Sequence, residues 1–182
     1  MRSSSGMRTE DFEAQVAPHR ENLSRFVSMM VGREAEDIVQ EAVATAFRDA
    51  AKFEGRSKFS TWLYGIALNL CRKYLRDKAR HASAAAQEVL EAQPAKGRGV
   101  LSSVIRHEMA ERLEMSVGRL PTSMREAFLL RYVDGMDYPE ISSITGVSEG
   151  TARVRAFRAR GLLREELGAV VDTVWLEKDE GD

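Results

Sequence analysis

The strongest constraint on this chain is its hydrophobic rhythm: two long stretches repeat apolar residues at helical spacing, and between them, over residues 81–103, the rhythm fades into Ala, Gln, Gly and Pro. Apolar side chains recurring at i, i+3, i+4 and i+7 line one face of an α-helix, and no run alternates with the period of two that a half-buried strand requires. The expected fold is all-α, two small helical domains joined by a flexible linker. The domains fall at residues 1–80 and 104–170, the linker at 81–103 and an acidic tail at 171–182. A linker fits better than a loop, because long structureless loops are uncommon inside one compact domain; its alanines permit a short helix over 84–91.

In the first unit the periodicity predicts a helix over residues 9–30, with Phe12, Val16, Leu23, Phe26 and Val27 inward, broken by Gly32. A second spans 34–52, with Ile38, Val39, Ala42, Val43, Ala46 and Phe47 inward, and a third follows the turn-like Glu54-Gly55-Arg56-Ser57 over 60–80. The second unit reads as helices over 104–119, 123–133, 138–145 and 149–167. Ser123 with Glu126, and Asp137 with Glu140, both fit a capping box, in which the first side chain accepts a backbone hydrogen bond and the glutamate returns one. Pro139 falls in a first turn, where its missing N–H does no harm, and Ser148 is a good N-cap for the last long helix.

Several function classes drop out. With 43% hydrophobic residues in 182, cores can form, yet no stretch reaches the roughly 18 uninterrupted apolar residues of a membrane helix and residues 1–10 are polar, so the chain is expected in the cytoplasm, without membrane insertion. The single cysteine, Cys71, forbids an intramolecular disulfide and reads as a small buried residue. His19, His81 and His107 lie far apart, so neither a metal nor a cofactor is expected. Glu34, Glu36 and Asp37 have no histidine, phosphate loop or nucleophile motif beside them, and the chain does not read as an enzyme.

The net charge of −1 hides a segregation. Cations gather at Arg72, Lys73, Arg76, Lys78 and Arg80, and again at Arg153, Arg155, Arg158, Arg160 and Arg164; acids gather at Glu34, Glu36, Asp37 and Glu41 and in the tail at Glu177, Asp179, Glu180 and Asp182. Because the local field governs encounter with phosphate, this suits one set of surfaces to nucleic acid and another to a basic protein partner.

Two helices joined by Gly146-Val147-Ser148 form the pattern of a helix-turn-helix. On the second, Ala152, Ala156, Ala159 and Leu163 share a core face, while Gly150, Arg153, Val154, Phe157, Arg158 and Gly161 lie opposite. Arginine's planar fork can pair with a guanine edge or a phosphate, and Val and Phe can touch a thymine methyl; alternatively, the arginines only solvate the helix. In the third helix of the first unit, Trp62, Asn69, Arg72, Lys73 and Arg76 share a face opposite Leu63, Ile66, Ala67, Leu70 and Tyr74. An aromatic, amide and cationic face suits single-stranded nucleic acid, although Trp62 could equally be core.

The segments Glu34-Ala-Glu-Asp-Ile-Val-Gln-Glu41 and Phe53-Glu-Gly-Arg-Ser-Lys-Phe-Ser-Thr-Trp-Leu-Tyr-Gly-Ile-Ala-Leu-Asn69 resemble region 2 of extracytoplasmic-function (ECF) sigma factors, members of the sigma-70 superfamily. Leu120-Pro-Thr-Ser-Met-Arg-Glu-Ala-Phe-Leu-Leu-Arg131 and the stretch from Asp137 to Arg160 are similar to their region 4, in the same order along the chain. The resemblance implies a sigma factor that binds core RNA polymerase, melts the minus-10 element and reads the minus-35 element. It implies that Glu36, Asp37, Gln40 and Glu41 face the clamp helices of the largest subunit, with the flap region a further polymerase contact. The minus-10 set would be Phe53, Ser57, Lys58, Phe59, Ser60, Trp62, Asn69, Arg72, Lys73 and Arg76; the minus-35 set would be Ser148, Thr151, Arg153, Val154, Arg155, Phe157 and Arg158. Partners would be the polymerase core, promoter DNA and an anti-sigma factor, and the linker would run toward the RNA exit path. Gly65 and Leu68 stand where the family often carries cations, Gly161 replaces a common basic residue, and Lys73 replaces an acidic or neutral one. The competing reading is a helix-turn-helix regulator or sigma mimic that occupies an anti-sigma factor without initiating transcription.

Overall fold

The structure, a computed structural model, describes residues 9–85 and 104–168. Among these residues every regular element is helical. The helix expected over 9–30 is divided into α1 (Thr9–Val16) and α2 (Arg20–Val31) by a 3₁₀ turn, Ala17–His19. The cause is Pro18, which lacks an N–H and whose ring crowds the preceding turn. Gly32, at φ +82°, closes α2 by donating its N–H to the Ser28 carbonyl oxygen. Helix α3 (Ala35–Asp49) ends in a 3₁₀ turn, Ala50–Lys52. Helix α4 (Phe59–Ala85) runs past its expected end into the segment read as linker, and the rest of the helix expected over 84–91 lies outside the described residues.

Helix α5 (Val104–Arg119) opens the second half, followed by α6 (Thr122–Phe128), which widens into a π-turn, Leu129–Val133. The capping box expected at Ser123 is not formed. Pro121, extended at φ −50° and ψ 135°, takes the N-cap position two residues before Ser123, so Ser123 lies inside the helix; Glu126 is 2% exposed and pairs with an arginine instead of turning back. The second box is formed: Asp137 Oδ1 accepts the Glu140 N–H at 2.8 Å, and Glu140 Oε2 accepts the Asp137 N–H at 3.1 Å. It starts α7 (Tyr138–Thr145), which Gly146 ends in the left-handed conformation at φ +76°. Ser148 Oγ then accepts the Thr151 N–H at 3.2 Å and starts α8 (Glu149–Leu167).

The buried side chains form one continuous core. Phe12, Leu23, Phe26 and Leu63 in the first half join Phe128, Leu130, Ile141 and Leu163 in the second. Helix α4 packs on α3 and α2 on one side and on α7 on the other, while α2 touches the π-turn. The two halves therefore lean directly on each other.

Candidate nucleic-acid and protein interfaces

The residues of α8 divide as their spacing requires. Ala152, Ala156 and Ala159 have no exposed surface, and their small side chains let α8 lie close against α6. The opposite face carries Phe157, 69% exposed, and Val154, 48% exposed, a level at which neither serves as core. Arg153 and Arg158 flank them in the open. Arg153 stacks its guanidinium over the Tyr138 ring at 4.3 Å, and Arg131 approaches the same ring at 4.9 Å. Stacking holds Arg153 in place while leaving the edge of its fork available. Arg155 sits on the flank of the helix, half-buried, away from the centre of the exposed face. Ser148 and Thr151 are exposed at the start of α8, their hydroxyls 2.9 Å apart.

The loop before α4 is built on rings. Phe53 and Trp62 lie 5.1 Å apart, Phe59 touches both at 5.7 Å, and Phe12 reaches Phe59 at 5.9 Å from the core. Trp62 is thus half-buried: part of its ring anchors the loop and part faces out. Ser57 and Ser60 are half-buried beside this cluster, and Lys58 is exposed. Along α4, Asn69, Lys73 and Arg76 are exposed on one face as the spacing requires. Leu68, which stands where the family often carries a cation, is completely buried, as is Cys71, and Thr61 and Tyr64 are buried too. Burial pushes the Cys71 thiol up to about 12, with the Glu126 carboxylate adding to the shift.

Arg72 falls at the edge of the exposed face, because four residues carry a helix only about 40° past a full turn and so place it next to Leu68. Its Nε and Nη2 donate to Glu126 Oε1 and Oε2 at 2.8 and 2.7 Å, and Nη2 also donates to the Thr145 carbonyl oxygen at 3.2 Å. Lys58 Nζ likewise reaches Glu140 Oε1 at 2.8 Å. Glu140 holds the Lys58 ammonium above its ordinary pKa, through their hydrogen bond and charge. The Tyr64 hydroxyl donates to Asp134 Oδ1 at 3.0 Å, and Arg125 Nη1 donates to the Met30 carbonyl oxygen at 2.8 Å. These acids and Arg125 were absent from the sequence-derived site. For Glu126 and Glu140 the cationic character of Arg72 and Lys58 was the only hint, and for Asp134 and Arg125, which meet a hydroxyl and a backbone carbonyl, there was none, since spacing says nothing about pairs 54 to 95 residues apart.

On α3, Glu36, Asp37, Gln40 and Glu41 are all exposed and share one face, with Gln40 Nε2 donating to Glu36 Oε1 at 3.4 Å. The acids crowd the N-terminal turns, where the helix dipole favours them. Nearby, the Tyr74 hydroxyl bonds the Glu34 carboxylate and holds it below the usual range. Among the described residues no group of His, Cys, Asp and Glu is arranged to hold a metal, and no helix is long and apolar enough to cross a membrane.

Comparison with known proteins gives matches to both halves. The family described as Sigma-70 region 2 matches residues 16–81, and that described as Sigma-70, region 4 matches residues 110–163. The ECF RNA polymerase sigma-E factor of Escherichia coli (strain K12) is 35% identical over 157 residues, 82% of each chain. The RNA polymerase sigma-H factor of Pseudomonas aeruginosa is 31% identical over 142 residues, 74% of each. Among solved structures, CnrH in complex with the cytosolic domain of CnrY superposes with a TM-score of 0.68 at 26% identity, covering 91% of this chain and 92% of that one. The sigma factor RpoE in complex with the anti-sigma factor NepR from Bartonella quintana shares the fold, with a TM-score of 0.73 at 24% identity over 87% of this chain and 98% of that one.

Proposed function

The chain belongs to the extracytoplasmic-function sigma factors of the sigma-70 family, which direct transcription initiation by RNA polymerase, and we propose how its surfaces divide that work. Residues 1–80 act as region 2 and residues 104–170 as region 4, with 81–103 as the tether that runs toward the RNA exit path. The face of α3 bearing Glu36, Asp37, Gln40 and Glu41 meets the clamp helices of the polymerase's largest subunit, where a basic surface would complement it. Region 4 approaches the flap region. The protein works in the cytoplasm, and an anti-sigma factor is its regulator.

At the promoter, the loop around Phe53, Ser57, Lys58, Phe59 and Ser60, with Trp62, Asn69, Arg72, Lys73 and Arg76, takes up the opened minus-10 strand. Extruding a base costs a few kcal/mol of stacking, and a ring such as Trp62 returns about 1–3 kcal/mol per stacked base. The half-exposed edge of the aromatic cluster supports this role, because a base can add to rings already held in place. Asn69 offers an amide to a base edge, and Lys73 and Arg76 follow the backbone. On α8, Arg153, Val154, Phe157 and Arg158 read the minus-35 element as duplex, while Ser148, Thr151 and Arg155 contact phosphates at the groove edge. A paired arginine contact discriminates by about 1–3 kcal/mol.

The observation that carries this reading is the two-sided α8: fully buried alanines behind, exposed arginines and apolar groups in front. Reconstituted holoenzyme on genomic DNA, with sequencing of transcript starts, tests it. Arg153→Ala with Arg158→Ala should lower promoter-specific starts at least tenfold while core polymerase binding persists. Asp37→Lys with Glu41→Lys should do the reverse, weakening holoenzyme assembly. Loss of polymerase binding in the first pair, or unchanged affinity in the second, overturns these assignments.

A further inference from the structure

The contacts between the two halves use side chains that DNA would need. Arg72 and Lys58, both assigned above to the minus-10 strand, point instead at Glu126 and Glu140 of the second half. The Arg72 pair is the more enclosed: the Glu126 side chain is 3% exposed and that of Arg72 is 27% exposed, whereas Lys58 is 71% exposed. The guanidinium fork fills both carboxylate oxygens and adds the Thr145 carbonyl oxygen, the last carbonyl of α7. A fork that fits a carboxylate in this way also fits a phosphate.

We infer that the Arg72–Glu126 pair is an autoinhibitory latch that holds the free chain closed and withholds Arg72 from nucleic acid. The inference rests on the reading of the α4 face as the single-strand contact.

The chemistry of the pair suits a contact that must be broken. A buried ion pair adds little net stability over an apolar pair, because desolvation offsets most of the attraction, yet removing one partner is severe. Such a pair fixes the register of two surfaces without sealing them. When the halves part, both charges return to water and nothing is left buried and unpaired. The surrounding contacts, Tyr64 to Asp134 and Arg125 to the Met30 carbonyl oxygen, align the same interface. Glu126 stands in place of phosphate, so opening and strand capture become competing uses of one guanidinium.

The test uses the full chain with fluorophores at Lys52→Cys and Glu165→Cys, both exposed positions on opposite halves, while the buried Cys71 stays unlabelled. The unaltered latch should give one short donor–acceptor distance. Glu126→Gln should lower the closed-to-open ratio at least tenfold, with helical content unchanged by circular dichroism, and should tighten binding of a labelled single-stranded oligonucleotide at least threefold. Arg72→Gln, which alters the more exposed partner, is the second variant and should open the chain without that gain in binding. Arg72→Met with Glu126→Met should restore the short distance, an outcome general destabilisation does not produce. Glu126→Gln and Arg72→Gln both keeping the closed distance overturns the latch, and opening by Glu126→Gln with no gain in oligonucleotide binding overturns the withholding of Arg72. Transcription by holoenzyme carrying the unaltered chain is measured in parallel, so failure of the latch is distinguished from failure of the sigma-factor reading.

Discussion

The close seat of α8 on its domain leads to a sharp prediction at Ala156. The residue is completely buried between Ala152 and Ala159, which are also fully buried, along the seam where α8 meets α6. Ala156→Leu inserts three further carbon atoms there, and overpacking of this kind costs about 1–3 kcal/mol. Ala156→Gly is the matched control: the helix loses about 1 kcal/mol of propensity, and the missing buried methyl costs about 0.8 kcal/mol. Both variants should therefore lose roughly 2 kcal/mol by urea denaturation, corresponding to about 4–8 °C in Tm for a chain of this length. Their effects on DNA should differ. Glycine leaves the helix free to settle, so Arg153 and Arg158 keep their positions; leucine levers the helix outward and moves them. Fluorescence anisotropy with a minus-35 duplex, at a temperature where both variants are folded, should show Ala156→Leu binding at least tenfold more weakly and Ala156→Gly within about threefold of the parent. Equal binding by the two would refute the idea that the alanine face sets the position of the reading face.

Asp137→Ala removes the side chain that starts α7 and should cost about 1 kcal/mol by denaturant titration, as loss of an N-cap typically does; Ser123→Ala, which removes no cap, should cost less than half of that. Cys71, its thiol pushed up from 9.0 to about 12, carries about a thousandfold less thiolate at pH 8 than a thiol at its ordinary value. Labelling by a thiol reagent should therefore be negligible in the folded chain from pH 7 to 9 and appear in step with unfolding in urea; rapid labelling without unfolding would contradict its burial.

Local rules were readable in the chain and long-range ones were not. The faces of α8, the Asp137–Glu140 box and the Ser148 cap depend on spacings of three and four residues, and the structure reproduces each. Pro18 was also present to be read, but strong apolar periodicity on both sides masked the break it imposes between α1 and α2. Ser123 and Glu126 had the right spacing for a box, yet Pro121 had already begun the helix. Cys71 was read as buried and is, but the burial of Tyr64 and Leu68 escaped, because it depends on what packs against α4 from distant parts of the chain.

The α4 face carries the deeper lesson, since charge in a sequence has sign and spacing but no address. Arg72 read as a phosphate contact because cations cluster around it, and Glu126 read as a cap because a serine precedes it by three residues. Brought together by the fold, each satisfies the other through a bidentate pair. Neither role excludes the other, because carboxylate and phosphate present the guanidinium with the same kind of acceptor. Under the proposed role of α4 in strand capture, the helix gains from having its grip occupied beforehand by an acid on the second half of the chain. Lys58 and Glu140 repeat the arrangement at the loop that frames the same face, where the acid that starts α7 also holds the loop's cation. In the proposed latch, closure of the halves and exposure of the proposed strand-binding face are coupled through these shared charges, pairs that no window of neighbouring residues could have revealed.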